Sequence, residues 1–359
     1  MTGERQGWGP AVVAPRLDVK PWGGRRLETL GLKLPPDVQV GEALLTANEA
    51  TIGAGRTLGE LVAADPTRLG ARGRTAAGGR SLFPLQVKLI DATENLSIQV
   101  HPDDAAAGPL DRLGKTEAWH VLAADPGALL YLGLQPGIPF ERFADACRRR
   151  DGSAATLLRA IPARAGMTVL IPAGTVHALG AGVMVYEVQQ PSDVTYRLDD
   201  WGRRDAQGRP REMHIDEGLA VACTTLMPEP IAPVAVRATA GRRHILAACR
   251  YFALERIALA AGERAPLIAV ESPRVVTVLT GEGSVRSAGA TAALAPGQSA
   301  VIWPASVPLW LEASRPLVAL SAWVPDIATE IVALARISGA AEHEITALGG
   351  PLDDVRAAP

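Results

Sequence analysis

Polar side chains that could bind a metal ion are concentrated between residues 96 and 117. Apolar and polar residues alternate over residues 96–101, so in a β-strand Ser97, Gln99 and His101 would share one face. Gln99 and His101 would then lie roughly 6.6 Å apart along the strand, close enough for an amide oxygen and an imidazole nitrogen to converge on one ion. The same alternation is equally typical of the solvated face of an antiparallel strand.

A second strand-like run, residues 115–122, repeats this arrangement. Its alternation places Lys115, Glu117 and Trp119 on one face. We therefore expect Glu117 to join the site and His120 to lie on the opposite face.

A third segment adds a histidine. Gly166, Pro172, Gly174 and His177 have the spacing G-x5-P-x-G-x2-H, which resembles the second signature of the cupin β-barrels. The apolar residues 169–171 predict a strand, and the Pro and Gly predict a tight turn that aims His177 inward. A single histidine is more often structural than a ligand, but this one has a turn that would direct it.

Gln99, His101, Glu117 and His177 offer two nitrogen and two oxygen ligands. Such a set suits one Zn²⁺ per chain and also accepts Mn²⁺, Fe²⁺ or Co²⁺. No thiolate takes part, so the set is typical of a Lewis-acid centre with an open position and not of a closed structural zinc site.

Six segments of the chain resemble, in the same order, those of class I mannose-6-phosphate isomerases. They are PWGG (21–24), FPLQVKLIDA (83–92), LSIQVHPDD (96–104), GKTEAW (114–119), IPAGTVHAL (171–179) and SDVTYR (192–197). The resemblance is closest over residues 21–216 and weaker but continuous beyond. It implies a metal-dependent aldose–ketose isomerase that interconverts mannose 6-phosphate and fructose 6-phosphate through an enediol.

The resemblance also favours site roles for Glu187 and Arg197, which could otherwise form a cross-strand salt bridge. The reaction needs a base, for which Lys115, Glu187 and a water on the ion are the candidates. Arg197 carries a permanent charge, so it suits stabilising the enediolate or binding phosphate.

The phosphate has no glycine-rich cradle in this sequence, so side chains such as Lys88, Ser97 and Arg197 would hold it. Lys88 stands in an apolar strand, which means that it either reaches the surface or serves an anion.

Composition limits the other functions. The chain of 359 residues is 48% apolar and 21% charged with a net charge of −2, which fits a globular protein and gives no basic patch for a nucleic acid. Its three cysteines have no C-x-x-C spacing, so no disulfide framework is expected. No signal-peptide core and no apolar run long enough to cross a bilayer is evident, and we expect a cytoplasmic protein with no membrane partner.

Thirty-six glycines and twenty-eight prolines favour many short strands. We expect a mainly β fold of two cupin-like β-barrels (jelly rolls) with a small helical insertion. Residues 1–232 would form the metal-bearing catalytic domain with the insertion near 139–162, residues 233–325 a second, metal-free barrel, and residues 326–359 a helical tail. The second barrel is expected to lack metal because residues 297–308 resemble residues 166–177 without the histidine.

Local patterns give three further expectations. Thr57 and Glu60 predict a capping box, residues 70–80 a mobile surface loop, and Asp216 the cap of a helix that runs through Cys223.

Two other functions remain open at this point. One is an isomerase of another or an unphosphorylated sugar, and the other is a sugar-binding cupin without catalysis. Lys115 together with Arg197 argues against the second, because a binding module needs neither in such a site.

Overall fold

The computed structural model describes residues 8–53, 55–204, 208–268, 270–287, 289–304 and 308–358. The strands are β1 (Ala11–Ala14), β2 (Arg16–Gly24), β3 (Val40–Thr46), β4 (Thr51–Ile52), β5 (Arg56–Thr57), β6 (Gln86–Ala92), β7 (Ile98–Val100), β8 (Glu117–Ala124), β9 (Leu129–Leu134), β10 (Leu158–Pro162), β11 (Thr168–Ile171), β12 (His177–Leu179), β13 (Val183–Gln189), β14 (Tyr196–Asp199), β15 (Pro230–Ile231), β16 (Val234–Val236), β17 (Arg242–Ala248), β18 (Ala253–Leu259), β19 (Arg264–Pro266), β20 (Arg274–Thr280), β21 (Gly283–Ser287), β22 (Ala290–Leu294), β23 (Ser299–Ile302), β24 (Trp310–Ala313) and β25 (Leu317–Trp323).

Helices are short and lie mostly between strands. The α-helices are α1 (Leu58–Ala64), α2 (Gly70–Ala76), α3 (Asp104–Ala107), α4 (Phe140–Arg149), α5 (Ile215–Val221), α6 (Ala333–Ile337) and α7 (Glu342–Ala347). Single 3₁₀ turns span Arg26–Leu30, Pro66–Leu69, Gly108–Leu110 and Ser153–Leu157, and a π-helical turn, Ile327–Val332, leads into α6. No helix in the described ranges has the length and apolar character needed to span a membrane.

The mainly β architecture expected from the sequence is confirmed. The strands form four antiparallel sheets, with the orders β15-β11-β8-β13-β6-β3-β2, β10-β9-β12-β7-β14, β16-β17-β18-β25-β20-β23-β1-β4-β5 and β19-β24-β21-β22. We call them the seven-, five-, nine- and four-stranded sheets.

The seven- and five-stranded sheets pack face to face and form the N-terminal sandwich. Their shared core includes Ile90 and Trp119 from one sheet and Leu130 and Leu179 from the other. Because alternate residues of these strands point inward, the polar members of the same strands reach the space between the sheets. The candidate site lies there.

The nine- and four-stranded sheets form the C-terminal sandwich around residues such as Ile257, Val276 and Leu311. Strands β1, β4 and β5 join this nine-stranded sheet, with Val13 opposite Ser299. Residues near the N-terminus thus complete a sheet of the C-terminal sandwich, and the domain division near residue 233 remains a prediction.

The largest apolar cluster lies between the two sandwiches. It joins the outer face of the seven-stranded sheet, for example Leu89 and Tyr186, to the nine-stranded sheet at Ile245, Val275 and Leu320. Burial of this many apolar side chains ties the two sandwiches firmly together.

The helical insertion is smaller than expected. Residues 140–149 form α4, whose Phe143 packs over the five-stranded sheet, but residues 158–162 form β10 and pair with β9. Residues 153–157 form a 3₁₀ turn, so the helical expectation is wrong only over residues 158–162, where sheet pairing overrides a weak helical spacing.

The other local expectations have mixed outcomes. The capping box is confirmed, since Thr57 and Glu60 bond reciprocally at the start of α1. Residues 70–76 form α2 instead of a loop. The helix near Asp216 begins after His214 and ends at Val221, so Asp216 lies in its first turn and does not cap it.

Candidate metal centre and active-site cleft

The four candidate metal ligands lie together between the sheets of the N-terminal sandwich. Gln99 on β7 pairs directly with His177 on β12, and Glu117 begins β8 on the opposite sheet. Nε2 of His177 lies 3.3 Å from Glu117 Oε1, and Nε2 of His101 lies 3.5 Å from Oε2. The ligand atoms of these three residues all fall within 4.8 Å of one another. His120 is on the other face, next to Thr168, as its alternation predicts.

The turn before β12 explains how His177 is aimed. Gly174 has a φ of +86°, a conformation that L residues rarely adopt, and its N–H donates to the carbonyl of His101 at 2.8 Å. Thr175 N–H closes the turn on Pro172 O at 3.1 Å. The turn that precedes His177 is thus bonded to the backbone of His101, so the positions of the two histidines are coupled.

Each histidine is oriented by a backbone carbonyl. His101 Nδ1 lies 2.8 Å from Val194 O, and His177 Nδ1 lies 2.9 Å from Thr175 O. A carbonyl can only accept, so each Nδ1 must carry a proton, and in the neutral form of the ring Nε2 then presents a lone pair to the centre. This is the arrangement that metal-binding histidines use.

Glu117 supplies a fully buried carboxylate whose Oε2 lies 2.7 Å from Lys115 Nζ. Burial alone would raise its pKa, but the Lys115 ammonium and the two histidines outweigh burial and hold the pKa well below the usual range. Burial, reinforced by Lys115, also lowers the pKa of His101 well below its ordinary value. An ionised carboxylate beside a neutral imidazole is the state that a divalent ion requires, so these residues fit one.

Gln99 can supply the fourth ligand after a rotation of its amide. Its Nε2 lies 3.2 Å from His177 Nε2, and its Oε1 lies 3.5 Å from the hydroxyl of Ser97. A half-turn of the amide exchanges the two atoms, so that Oε1 faces the centre and Nε2 can donate to Ser97.

A cleft of about 430 Å³ opens beside this centre, a size typical of small-molecule sites. Lys115 lies at its floor, with Nζ 2.7 Å from Glu117 Oε2 and 3.0 Å from His101 Nε2. The cleft is mostly polar, and the predicted residues that line it are Lys88, Ser97, Gln99, Lys115, Glu187 and Arg197.

Glu187 and Lys88 form a buried pair on the wall of the cleft. Glu187 Oε1 lies 3.3 Å from Lys88 Nζ, and Oε2 accepts a hydrogen bond of 2.9 Å from the indole of Trp119. Burial opposes the charge of Lys88, but Glu187 and the more distant Glu42 raise its pKa above the ordinary value. Lys88 is therefore a stable ammonium that can donate to a ligand.

Arg197 is on the five-stranded sheet, where it pairs with Gln99, and Glu187 is on the seven-stranded sheet. The alternative of a cross-strand salt bridge between them is therefore wrong. Arg197 Nη1 donates to the carbonyl of Glu212 at 2.7 Å, and its buried Nε finds no acceptor among the described residues. Burial, followed by the repulsion of Arg211, lowers its pKa.

Three cationic residues of the cleft were not found from the sequence: Arg16, Lys20 and Arg211. Arg16 and Lys20 stand on β2, the edge strand of the seven-stranded sheet. Basic residues are common on edge strands, so the sequence offers no reason to single out these two. Their position at the cleft is what marks them as candidates.

Comparison with known proteins agrees with the geometry. The chain is 36% identical over 216 residues to a mannose-6-phosphate isomerase of Streptococcus mutans, covering 59% of this chain and 67% of that one. It is 34% identical over 223 residues to the probable mannose-6-phosphate isomerase GmuF of Bacillus subtilis, covering 59% and 68%.

The fold has a solved counterpart over nearly the whole chain. The crystal structure of a mannose 6-phosphate isomerase from Bacillus subtilis superposes with a TM-score of 0.75 at 27% identity, covering 88% of this chain and 99% of that one. No model of a protein family matches the chain. The identity and coverage of the relatives, together with this fold, show that the chain belongs to the mannose-6-phosphate isomerase family.

Proposed function

We propose that the protein interconverts mannose 6-phosphate and fructose 6-phosphate at the cleft of the N-terminal sandwich. The observation that carries the proposal is the buried group of His101, Glu117 and His177, whose two Nε2 atoms face one ionised carboxylate next to Gln99 and Lys115 of a polar cleft. Relatives named for this activity support it.

The four ligands Gln99, His101, Glu117 and His177 would hold one divalent ion per chain. When bound, the ion would polarise the C1 and C2 oxygens of the sugar and so stabilise the charge of the enediolate. We propose Zn²⁺ because two imidazoles and two oxygens form a set that it prefers.

The chain's own residues must move a proton between C1 and C2 of the sugar. Glu187 presents Oε1, which lies 3.3 Å from Lys88 Nζ, while the indole of Trp119 donates to its other oxygen. Lys115 presents Nζ, which already lies between His101 and Glu117. Both groups line the cleft, so both remain candidates for the base, and Lys88, held as an ammonium, would donate to a sugar oxygen.

Arg197 would bind the negative charge of the substrate. Its Nε lacks an acceptor in the described residues, and a planar guanidinium suits an enediolate or a phosphate. Ser97 lies on the same wall beside Gln99 and could donate its hydroxyl to the substrate. Lys88 and Ser97 therefore stay predicted substrate-binding residues.

The same proposal includes several finer expectations. We propose that the two sandwiches are cupin-like barrels, divided near residue 233, because the ligand turn at residues 172–177 has the cupin spacing. A sugar phosphate would be the partner, with no nucleic acid or membrane involved. The free state of Cys147, Cys223 and Cys249 supports a cytoplasmic location.

A coupled assay with mannose 6-phosphate, with glucose 6-phosphate and free mannose as alternative substrates, tests the function. We expect turnover of mannose 6-phosphate that chelation abolishes and Zn²⁺ restores. Preference for an unphosphorylated sugar, or turnover that survives chelation, would overturn the substrate or the ion. Exchange of substrate protons with solvent in Glu187→Gln and Lys115→Met then identifies the base, because only loss of the base stops exchange.

A further inference from the structure

A hydrogen bond from the C-terminal sandwich reaches the segment that carries Lys115. Tyr251, in the turn between β17 and β18, donates its hydroxyl to Asp104 Oδ2 at 2.7 Å. The other oxygen of Asp104 accepts bonds from Gly114 N–H at 2.8 Å and from the amide of Gln190 at 3.0 Å. The carboxylate of Asp104 thus joins three separate segments of the chain.

The segment closed by Asp104 has catalytic candidates at both ends. It leaves the five-stranded sheet after β7, passes through His101 and enters the seven-stranded sheet at Glu117. Within it, Lys115 N–H donates to Pro102 O at 3.0 Å. Gly114 packs closely against the backbone at the start of this segment, so that an added Cβ would lie 2.5 Å from Asp104 N. The position of Asp104 therefore sets the spacing between the backbones that carry His101 and Lys115.

The Gln190 bond extends the same network to the next residue. Gln190 Oε1 accepts from Thr116 N–H at 2.8 Å, and Gln190 N–H donates to Thr116 O at 3.1 Å. Thr116 separates Lys115 from Glu117. The backbone between Lys115 and Glu117 is therefore held in place by two hydrogen bonds to Gln190.

The turn that carries Tyr251 is itself fixed. Cys249 N–H donates to Phe252 O at 2.8 Å, and Arg250 bonds Asp354 near the C-terminus through both its backbone N–H and its Nε. A rigid support of this kind can hold a hydroxyl in place with little loss of conformational entropy.

We propose that Tyr251 is a positioning residue for the isomerase reaction. Through Asp104 it holds residues 102–116 in the conformation that places Lys115 Nζ between His101 and Glu117. This gives the C-terminal sandwich a direct part in the active site. The inference rests on the proposed function, since it concerns the turnover of the same cleft.

Tyr251→Phe removes only the hydroxyl and tests the proposal. We expect kcat to fall by roughly 3- to 10-fold, in line with the net contribution of one ordinary hydrogen bond, while KM and bound metal stay at wild-type values. Tyr131→Phe is the matched control, because its hydroxyl makes no hydrogen bond to a described residue and its ring contact with Trp201 is kept. The control should keep full activity.

Two more measurements separate positioning from mere stability. Hydrogen exchange of residues 102–116 should quicken in Tyr251→Phe and not in Tyr131→Phe, and this readout does not depend on the identity of the substrate. Adding Asp104→Asn to Tyr251→Phe should lower kcat no further than Asp104→Asn alone. A wild-type kcat in Tyr251→Phe, or additive losses in the double variant, would overturn the proposal. If the wild-type protein fails to isomerise mannose 6-phosphate but exchange still quickens, only the proposed function fails.

Discussion

The two sandwiches place charged residues between their sheets in different ways. In the N-terminal sandwich the buried Glu117 lies 2.7 Å from the ammonium of Lys115, which lines a cleft of about 430 Å³. In the C-terminal sandwich Glu255 accepts two bonds from the guanidinium of Arg243, at 2.6 and 2.9 Å. Arg274 donates to Ser321, and its guanidinium lies 4.1 Å from the ring centre of Trp323. The space left beside these groups is about 10 Å³.

The difference shows that strand alternation alone does not make a site. Both sandwiches bury a carboxylate beside a cation, but the N-terminal pair also has His101 and His177 within reach and an open cleft beside it. Within the described ranges, the His101, Glu117 and His177 group is the one set of His, Cys, Asp and Glu side chains placed to hold a metal. Residues 305–307, part of the segment compared with the His177 turn, lie outside the described residues. The metal-free second sandwich therefore stays a prediction.

Removing a histidine of the metal centre should have the largest effect. His101→Ala and His177→Ala should each lose the one ion per chain and cut turnover by more than about 100-fold, since even residues that support a ligand cost roughly 10- to 100-fold. Metal analysis of the dialysed proteins measures this. His120→Ala, a buried histidine on the other face, should keep its metal. Full retention in both site variants would sink the assignment.

Breaking the charge pair of the C-terminal sandwich should affect stability and not turnover. Glu255→Gln leaves the buried Arg243 without its carboxylate, which should cost about 3–5 kcal/mol of unfolding free energy. Denaturant unfolding measures the loss, and kcat of the folded fraction should be unchanged. Replacing both members, Arg243→Met with Glu255→Leu, should recover most of the stability. A large loss of kcat without a loss of stability would mean that this pair serves the reaction.

Arg197→Lys should lower turnover while leaving the fold and the metal in place. It keeps the charge but loses the planar fork, and removing one contact to a developing oxyanion costs on the order of 10²- to 10³-fold, or about 2.7–4 kcal/mol. The measurements are kcat, the metal content and the midpoint of thermal unfolding. Arg286→Lys, on an exposed ion pair of the C-terminal sandwich, is the control and should be neutral. Near-wild-type turnover in Arg197→Lys with metal bound would contradict the assignment.

The smallest expected effect concerns pH and the face between the two sandwiches. Burial, with the charge of Arg256 on β18, lowers the pKa of His120 to about 4. An unfolded chain binds this proton near pH 6.5, so stability contributed by neutral His120 is complete above that pH and is lost as the pH falls toward 4. By pH 5 the loss should be about 2 kcal/mol.

Urea unfolding of metal-free protein at pH 7 and pH 5 measures this loss. The decrease in unfolding free energy between pH 7 and pH 5 should be smaller by about 2 kcal/mol in His120→Gln. It should not change in His343→Gln, whose side chain is exposed. Equal drops in all three proteins would mean that His120 is accessible to solvent.

Strand alternation and one turn were enough to predict the local part of the site. Alternation along a strand is a property of the backbone, so the shared face of Gln99 and His101 and the opposite placement of Glu117 and His120 followed without any knowledge of the sheets. The turn at Pro172 and Gly174 is likewise a local feature, because its residue types favour the conformation that it adopts. It therefore predicted the inward direction of His177.

Which charged side chains meet could not be predicted in this way, because it depends on how the sheets are ordered and packed. Glu187 and Arg197 are ten residues apart but belong to different sheets, so Glu187 pairs with Lys88 and Arg197 remains without a carboxylate partner among the described residues. Tyr251 reaches Asp104 across 147 residues of sequence. Such contacts depend on sheet order and on packing between the sandwiches, which arise from burial summed over many residues and leave no pattern in any single segment.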